Sequence, residues 1–444
     1  MTSLSVGFVS LGCAKNLVDS EHMATVLRTA RVRLAPSPEE ADIILVNTCG
    51  FIGDAKQESI DAILRACALK QRGVCRAVIV AGCLIQRYRE ELRKAIPEVD
   101  AFIGLDQLDE LDDIVRRIER GESGILRVSK VARKVFNPLP SRIVLTGGPF
   151  AYIKIAEGCN HRCAFCAIPG IRGRYRSRPL RDIVHEAESL LAQGIKELNL
   201  ISQDTTRYGC DLEDTSLSDL LRALERIGGR FWIRLLYGHP AHLSDELLET
   251  MGEIPQVCRY LDIPIQHAHP DMLRAMNRAG LDRAVHAFPE RARRLLPGVT
   301  LRTTCLVGFP GETAAHFNEL TAFIRDVQFD HLGVFVFSPE EHTAAYGMSG
   351  QVSQAVARGR RTRLMRVQQD LVFRRAEAMV GTKATALLLH PAAGDRWTAR
   401  TAGQAPDVDG VTLVRGIEKQ AGTGRFVRIC NTGAAGYDLN AVRL

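Results

Sequence analysis

Three apolar runs mark the first 125 residues, and polar, helix-like stretches separate them. The runs are "SVGFVSLGC", "ADIILVNTCG" and "CRAVIVAGC", and segments such as "NLVDSEHMATVLRTA" follow them. Strands that are continuously apolar and alternate with helices are typical of a parallel sheet covered on both faces. The pattern therefore predicts an α/β class, with a Rossmann-like, doubly wound domain over residues 1–125.

Six further apolar runs lie within residues 145–378, again with helical stretches between them. They are "AYIKIA", "KELNLIS", "FWIRLLY", "RYLDIPIQ", "TLRTTCLVGF" and "HLGVFVF". One helix, "PLRDIVHEAESLLAQG", has Pro179 in its first turn and Gly194 at its end, where these residues are favoured. Six βα units are too few for a closed eightfold barrel, so the pattern predicts a partial (βα)6 barrel. Its working face is expected at the carboxyl ends of the strands.

Short alternating runs and many glycines characterise residues 379–444. "ATALLLH", "VTLVRG" and "GRFVRIC" predict a small antiparallel β-barrel of the oligonucleotide-binding kind. A long basic amphipathic helix, "RGRRTRLMRVQQDLVFRRAEAMVG", precedes it. A basic linker is predicted at residues 126–144, between the first two domains.

Composition indicates the cellular compartment in which the protein is expected. The chain has 444 residues, 46% of them hydrophobic and 25% charged, with a formal charge of +7 and twelve cysteines. It contains no run of roughly 18 apolar residues and no basic start followed by an apolar stretch, so neither a membrane span nor a signal peptide is expected. We therefore expect a cytoplasmic protein, in which clustered cysteines more often bind metal or do chemistry than form disulfides.

A cysteine ends each apolar run of the first domain: Cys13, Cys49 and Cys83. Carboxyl ends of parallel strands share one edge of the sheet, where ligands bind, so three cysteines far apart in sequence should converge there. The alternative is that each cysteine is a small buried hydrophobic residue. The repeated strand-end position favours a shared ligand site.

A second triad follows the first barrel strand. "GCNHRCAFC" sets Cys159, Cys163 and Cys166 at a C-x3-C-x2-C spacing. A structural zinc site needs a fourth ligand, and His161 is available, although it stands only two residues from each neighbouring cysteine. A 4Fe-4S cluster held by three cysteines instead leaves one iron free to bind a substrate or cofactor.

The C-x3-C-x2-C motif resembles the signature of the radical S-adenosylmethionine superfamily, and the partial barrel agrees with it. The resemblance implies that S-adenosylmethionine binds the open iron and is split to a 5′-deoxyadenosyl radical, which removes a hydrogen from an unreactive carbon. It implies that Phe165, inside the motif, and Gly308 and Gly311 of "LVGFPGE" lie along the cofactor. A plain strand-to-helix turn is the alternative for the two glycines.

Polar groups end two other barrel strands, in "ISQDTTRYG" and "YLDIPIQH". Gln203, Asp204 and Gln266 are candidates for contacts to the cofactor or the substrate, and each alone is also explained as a local cap.

The three segments together resemble the radical methylthiotransferases, over essentially the whole chain. The resemblance implies that Cys13, Cys49 and Cys83 hold a second 4Fe-4S cluster that carries the sulfur to be transferred. It also implies that the carboxyl-terminal barrel is a substrate-recognising TRAM module. A sulfur donor and an electron donor such as flavodoxin or ferredoxin are implied as partners.

The motif "SLGCAKNLVDSE" resembles the branch that modifies an aspartate β-carbon in the twelfth protein of the small ribosomal subunit. "APDVDG" points the same way, and its Asp407 and Asp409 are expected to dock a basic partner. Two departures, His239 and His342, leave the substrate mouth less certain than the reaction. The alternatives are a tRNA isopentenyladenosine methylthiotransferase and a non-enzymatic iron–sulfur sensor that binds RNA.

Overall fold

The structure of the protein, a computed structural model, describes residues 4–136, 141–418 and 421–444. Residues 137–140, in the predicted basic linker, lie outside the described residues. Within the described part, no helix is both long and apolar enough to cross a membrane.

The amino-terminal segment forms a six-stranded parallel sheet of order β2-β1-β3-β4-β5-β6. The strands are β1 (Ser5–Ser10), β2 (Arg33–Leu34), β3 (Ile43–Thr48), β4 (Ala77–Gly82), β5 (Ala101–Ile103) and β6 (Ile125–Arg127). The helices are α1 (Ala14–Thr29), α2 (Gly53–Gln71), α3 (Cys83–Arg87), α4 (Arg89–Ala95) and α5 (Leu111–Glu119).

Both faces of this sheet are covered, as its continuous apolar strands require. Ile43 and Leu45 of β3 pack on one side with residues of α1 and α5. Ile44 and Val46 pack on the other side with residues of α2. Alternate side chains of a strand point to opposite faces. The predicted doubly wound domain is therefore confirmed.

The central segment forms a second, open sheet of six parallel strands in the order β14-β13-β12-β11-β10-β7. Its strands, and a short two-stranded ribbon of β8 and β9, are β7 (Phe150–Lys154), β8 (Ala156–Glu157), β9 (Arg176–Ser177), β10 (Glu197–Ile201), β11 (Trp232–Leu235), β12 (Val257–Asp262), β13 (Thr300–Val307) and β14 (His331–Val336). All six predicted barrel strands are present, and the partial barrel is confirmed.

Except for the short helix Ile168–Arg172, which packs with Cys83 and Leu105 of the first domain, the helices of the central segment pack against one side of its sheet in a large apolar core. The helices of the segment are α6 (Ile168–Arg172), α7 (Leu180–Ala192), α8 (Leu217–Glu225), α9 (Asp245–Glu253), α10 (Pro270–Ala275), α11 (Asp282–Leu295), α12 (Ala314–Val327) and α13 (Gln354–Ala378). The strands alternate between this helix-covered face and a second, concave face.

The carboxyl-terminal segment is a closed five-stranded barrel of order β15-β16-β17-β19-β18. The strands are β15 (Lys383–Pro391), β16 (Arg396–Thr401), β17 (Thr412–Arg415), β18 (Phe426–Ala435) and β19 (Asp438–Arg443). The barrel is not purely antiparallel as predicted, because β17 and β19 pair in parallel. The barrel closes through this pairing, because β16 binds the other edge of β17 and β18 binds the other edge of β19.

The concave face of the central sheet is where the three segments meet. Val18 of α1, Tyr260 of β12 and Ala405 of the β16–β17 loop belong to one buried apolar cluster. The first and third segments thus close over the side of the central sheet that its own helices leave open.

Candidate active site

The first three cysteines lie at neighbouring strand ends. Cys13 immediately precedes α1, Cys49 follows β3, and Cys83 begins α3 directly after β4. A Cβ added to Gly12 would lie 2.8 Å from the Cys49 Cβ, and Gly12 has a φ of +88°, so glycine permits this close approach. The sheet order therefore brings together the cysteines that the sequence predicted to converge.

The barrel triad lies in the loop between β8 and α6, at the carboxyl edge of β7. The Cys166 amide donates to the Cys163 carbonyl at 3.0 Å, which makes the loop turn tightly. The Ala164 amide donates to the Met276 carbonyl at 2.9 Å. Phe165 is half-buried against an apolar cluster under this loop. The thiols are thus held by a loop that is itself anchored to the barrel.

Thiol spacing separates the two metal alternatives. In the described residues, the groups of three or more potential ligand atoms lying within 4.8 Å of one another contain no cysteine. Tetrahedral zinc would hold thiolate sulfurs about 4 Å apart, given zinc–sulfur bonds of about 2.3 Å. The wider spacing of both triads fits a multi-iron cluster better than a single ion.

Burial keeps the thiols of Cys83, Cys159 and Cys166 protonated in the absence of a ligand. It raises the pKa of the Cys83 and Cys166 thiols to about 12, and that of Cys159 to about 11. A metal ion or cluster must therefore displace the thiol protons when it binds.

Arg172 connects the two triads, and sequence reasoning missed it. It ends α6, six residues after Cys166, and is buried. Its Nη2 lies 3.4 Å from the Cys83 Sγ and 2.8 Å from Asp19, while its Nη1 lies 3.1 Å from Glu157. The loop that carries the barrel triad thus also places a cation beside the first triad.

Asp204 is engaged by two imidazoles. His161 Nε2 and His242 Nδ1 each donate to the Asp204 carboxylate at 2.8 Å. Although burial alone would raise it, these hydrogen bonds hold the pKa of Asp204 well below its usual range. His239 stacks on His161 with ring centroids 4.2 Å apart, and burial lowers its pKa to about 2. His161 therefore belongs to a network with Asp204 and is not a fourth ligand beside the thiols.

The hydrogen bonding of the Gln203 side chain differs from that of its neighbour Asp204. Both polar atoms of its amide are buried and have no hydrogen-bond partner in the described residues. Buried amide groups are normally paired, so a ligand is expected to pair with this one. Gln266 has a φ of +71° and joins its strand end to β13 through its backbone, donating to Thr304 at 2.9 Å. Both residues remain predicted ligand contacts.

Internal contacts explain the glycine-containing turn. Gly308 has a φ of +79°, and a Cβ there would clash with Ala357 of α13. Gly311 has a φ of +81° and open space around it. The Gly308 amide donates to Glu312, which also accepts from Arg360 at 2.6 Å. Helix packing and backbone conformation thus require these residues, and their contact with a cofactor stays a prediction.

The acidic loop packs on the central barrel, and its role in docking a partner stays a prediction. The Asp409 side chain is only 1% exposed and accepts a hydrogen bond from Tyr260 at 2.6 Å. Arg302 lies 3.5 Å from it. Asp407 is exposed, and it accepts from Tyr152 at 2.9 Å. The loop inserts into the concave face of the barrel because these polar side chains line that face.

Lys15 reaches from the first domain to the barrel, and sequence reasoning missed its position. Its Nζ lies 3.1 Å from the centroid of the Tyr237 ring, which follows β11. Burial lowers the pKa of Lys15 to about 8, so the amine is mostly protonated at neutral pH.

An open cleft of about 880 Å³ adjoins the barrel triad. Cys163 and Cys166 lie on its wall, with Arg87 of the first domain and His342 of the β14–α13 loop opposite them. The first and second domains together therefore form an open cleft beside the barrel triad.

Comparisons with known proteins agree with this geometry. Residues 5–104 match the uncharacterized protein family UPF0004, residues 153–324 the radical SAM superfamily, and residues 380–443 the TRAM domain. Among solved structures, the radical S-adenosylmethionine methyltransferase TsrM from Kitasatospora setae is similar, with a TM-score of 0.57 and 15% identity. The match covers 78% of this chain and 77% of that one. At this identity the likeness shows the fold alone.

Curated relatives extend the match to the whole length. The chain is 43% identical over 442 residues to the ribosomal protein uS12 methylthiotransferase RimO of Natranaerobius thermophilus, covering 98% of each chain. It is 45% identical over 449 residues to that of Syntrophobacter fumaroxidans, covering 99% of each. The resemblance predicted from the sequence is thereby confirmed. The chain belongs to the RimO family of radical SAM methylthiotransferases.

Proposed function

We propose that this enzyme transfers a methylthio group to the β-carbon of an aspartate in ribosomal protein uS12. The relatives that resemble it over their whole length carry that substrate in their names. The observation that carries the proposal is the pair of thiol triads on facing domains, joined through Arg172. One triad at the barrel mouth and one opposite it are what separate hydrogen-removing and sulfur-donating sites require.

The residues at each triad suit a four-iron cluster with one open iron. Three thiols per site, spaced too widely for a single ion, leave one iron without a protein ligand. When bound, the clusters and S-adenosylmethionine supply the radical and the methylated sulfur. The chain itself binds and orients these groups. Cys159, Cys163 and Cys166 would hold the barrel cluster, and the unpaired amide of Gln203 is available to the cofactor.

The second cluster, at Cys13, Cys49 and Cys83, is the finer part of this proposal. The guanidinium of Arg172 beside the Cys83 sulfur favours an anionic, sulfur-rich group in that place. A sulfur donor must reload this site, and an electron donor such as flavodoxin or ferredoxin must reduce the barrel cluster. A ribosomal substrate also places the enzyme in the cytoplasm.

The open cleft gives the substrate its route. Cys163 and Cys166 lie on its wall, so a loop of the ribosomal protein that enters it would reach the radical site. Its sides carry Arg87, Arg89 and Lys130 as well as Glu90 and Glu341, so it offers both charges to a polar peptide.

A direct competition tests the substrate. The anaerobically reconstituted enzyme is given uS12 and isopentenyladenosine-containing tRNA together, with S-adenosylmethionine and dithionite, and both are analysed by mass spectrometry. We expect one methylthio group on an aspartate of the protein and none on the tRNA. Modification of the tRNA alone would assign the enzyme to the other branch. No 5′-deoxyadenosine at all would favour the iron–sulfur sensor.

A further inference from the structure

Lys15 lies beside the first triad and reaches the central barrel. It occupies the first turn of α1, two residues after Cys13, and extends from the first domain to the barrel mouth. There its Nζ lies 3.1 Å from the ring centroid of Tyr237, two residues beyond the end of β11. The amine therefore lies where the first domain meets the barrel mouth. In this region the hydrogen-removing site and the sulfur-donating site must both reach one substrate carbon.

The ammonium of Lys15 has no carboxylate within salt-bridge distance in the part of the chain that the structure describes, although the side chain is almost fully buried. The residue is 9% exposed. Among residues 4–136, 141–418 and 421–444, no carboxylate oxygen lies within 4.0 Å of its Nζ. The nearby Asp262 carboxylate is occupied by Arg302 at 3.1 Å and by the Tyr237 amide at 3.0 Å.

The other buried cations at this junction are fully paired. Lys154 contacts the carboxylates of Asp19 and Glu157. Arg172 contacts the same two carboxylates, at 2.8 and 3.1 Å. A buried charge without a counter-ion is unfavourable, and an aromatic ring offsets only part of that penalty. Unlike these two cations, Lys15 has no carboxylate counter-ion among the described residues, and an incoming anion would supply one.

We infer that Lys15 binds the side-chain carboxylate of the target aspartate. The inference rests on the proposed function and deepens it. The carboxylate is bonded to the β-carbon that receives the sulfur, so holding it fixes that carbon between the triads. An ammonium at this point also selects against a nucleobase, which carries no carboxylate. Lys15 is therefore assigned as the residue that selects an acidic side chain.

A binding experiment that removes the charge from the enzyme and from the substrate in turn tests this inference. The reconstituted holoenzyme, without reductant so that no turnover occurs, is titrated with uS12 and with uS12 whose target aspartate is replaced by asparagine. A hydrogen bond to a buried charge corresponds to a roughly ten- to hundredfold affinity difference. We expect the natural enzyme to prefer the aspartate form by about that factor and Lys15→Met to bind both forms alike.

Control variants separate folding from recognition. Lys94→Met makes the same substitution at an exposed lysine of α4 and should keep the preference. Iron content and the thermal midpoint report whether Lys15→Met is assembled. If it loses iron, Lys15→Gln, which removes the charge but keeps a donor, provides the same comparison.

Three results would overturn the assignment. The preference for aspartate survives in Lys15→Met with unchanged affinity, Lys15→Met weakens the binding of both forms by the same factor so that the preference also survives, or only the affinity for S-adenosylmethionine falls. The third result would assign Lys15 to the carboxylate of the cofactor. These outcomes differ from failure of the proposed function, in which the natural enzyme does not modify uS12 at all.

Discussion

At the scale of single residues, the six cysteines could be found from the sequence because their signals are local. A strand-end position or a C-x3-C-x2-C spacing needs no knowledge of the rest of the fold. Arg172 and Lys15 could not be found in this way. Arg172 meets Cys83 across 89 residues of chain, and that contact depends on how two domains pack. The same holds for the pair of His161 and Asp204, 43 residues apart.

Cysteine substitutions should separate the two triads. Cys83→Ala is expected to lower the iron content of reconstituted enzyme from about eight to about four atoms, because two thiols do not hold a four-iron cluster. It should still form 5′-deoxyadenosine, while producing no methylthiolated uS12. Cys163→Ala should lose the other half of the iron and the 5′-deoxyadenosine. Iron analysis and chromatography of the nucleoside measure both effects.

Cys210→Ala serves as the control, since Cys210 is exposed and outside both triads. Unchanged iron in Cys83→Ala would refute the second cluster. One zinc per triad in place of iron would refute the cluster assignment for both sites.

At the scale of elements, apolar periodicity predicted both large sheets and every strand of four or more residues in them, but it did not find β16 and β19 of the carboxyl-terminal barrel. It missed β2, β5 and β6, because runs of two or three residues carry no readable period. It also could not show that β17 and β19 pair in parallel, since strand direction within a barrel depends on the path of the loops. The sequence predicted the helix α13 and offered a plain turn as the alternative role of Gly308, but it could not show that the two are in contact.

Two glycines of one turn offer a matched test of helix packing. Gly311→Ala meets only the unfavourable positive φ, which should lower the free energy of unfolding by about 1 kcal/mol. Gly308→Ala meets the same conformation and also the Cβ of Ala357, which should add about 1–3 kcal/mol. Thermal unfolding of both variants compares them. Equal midpoints would mean that α13 moves aside freely and does not clamp the turn.

At the scale of the whole molecule, the carboxyl-terminal barrel is joined to the central one by buried polar contacts. Glu197 of β10 pairs with Arg234 of β11 at 2.8 Å and with Arg400 of β16. Arg234 also donates to the Ala402 carbonyl at 2.7 Å. Charge composition predicted an acidic loop that docks a basic partner. It could not show that the concave face of the central barrel carries the arginines and tyrosines that bind this loop.

The two aspartates of the loop allow its roles to be separated. Asp409→Ala leaves the half-buried Arg302 with one carboxylate fewer and the buried Tyr260 without its acceptor, so the free energy of unfolding should fall by about 3 kcal/mol. Asp407→Ala removes one hydrogen bond from Tyr152 and should lower it by about 1 kcal/mol. Thermal unfolding at low and high salt measures both. Because Asp409 is buried, its effect should change little with ionic strength. If both variants instead unfold like the natural enzyme and modify uS12 more slowly only at low salt, the loop docks the substrate after all, and its insertion into the barrel does not stabilise the fold.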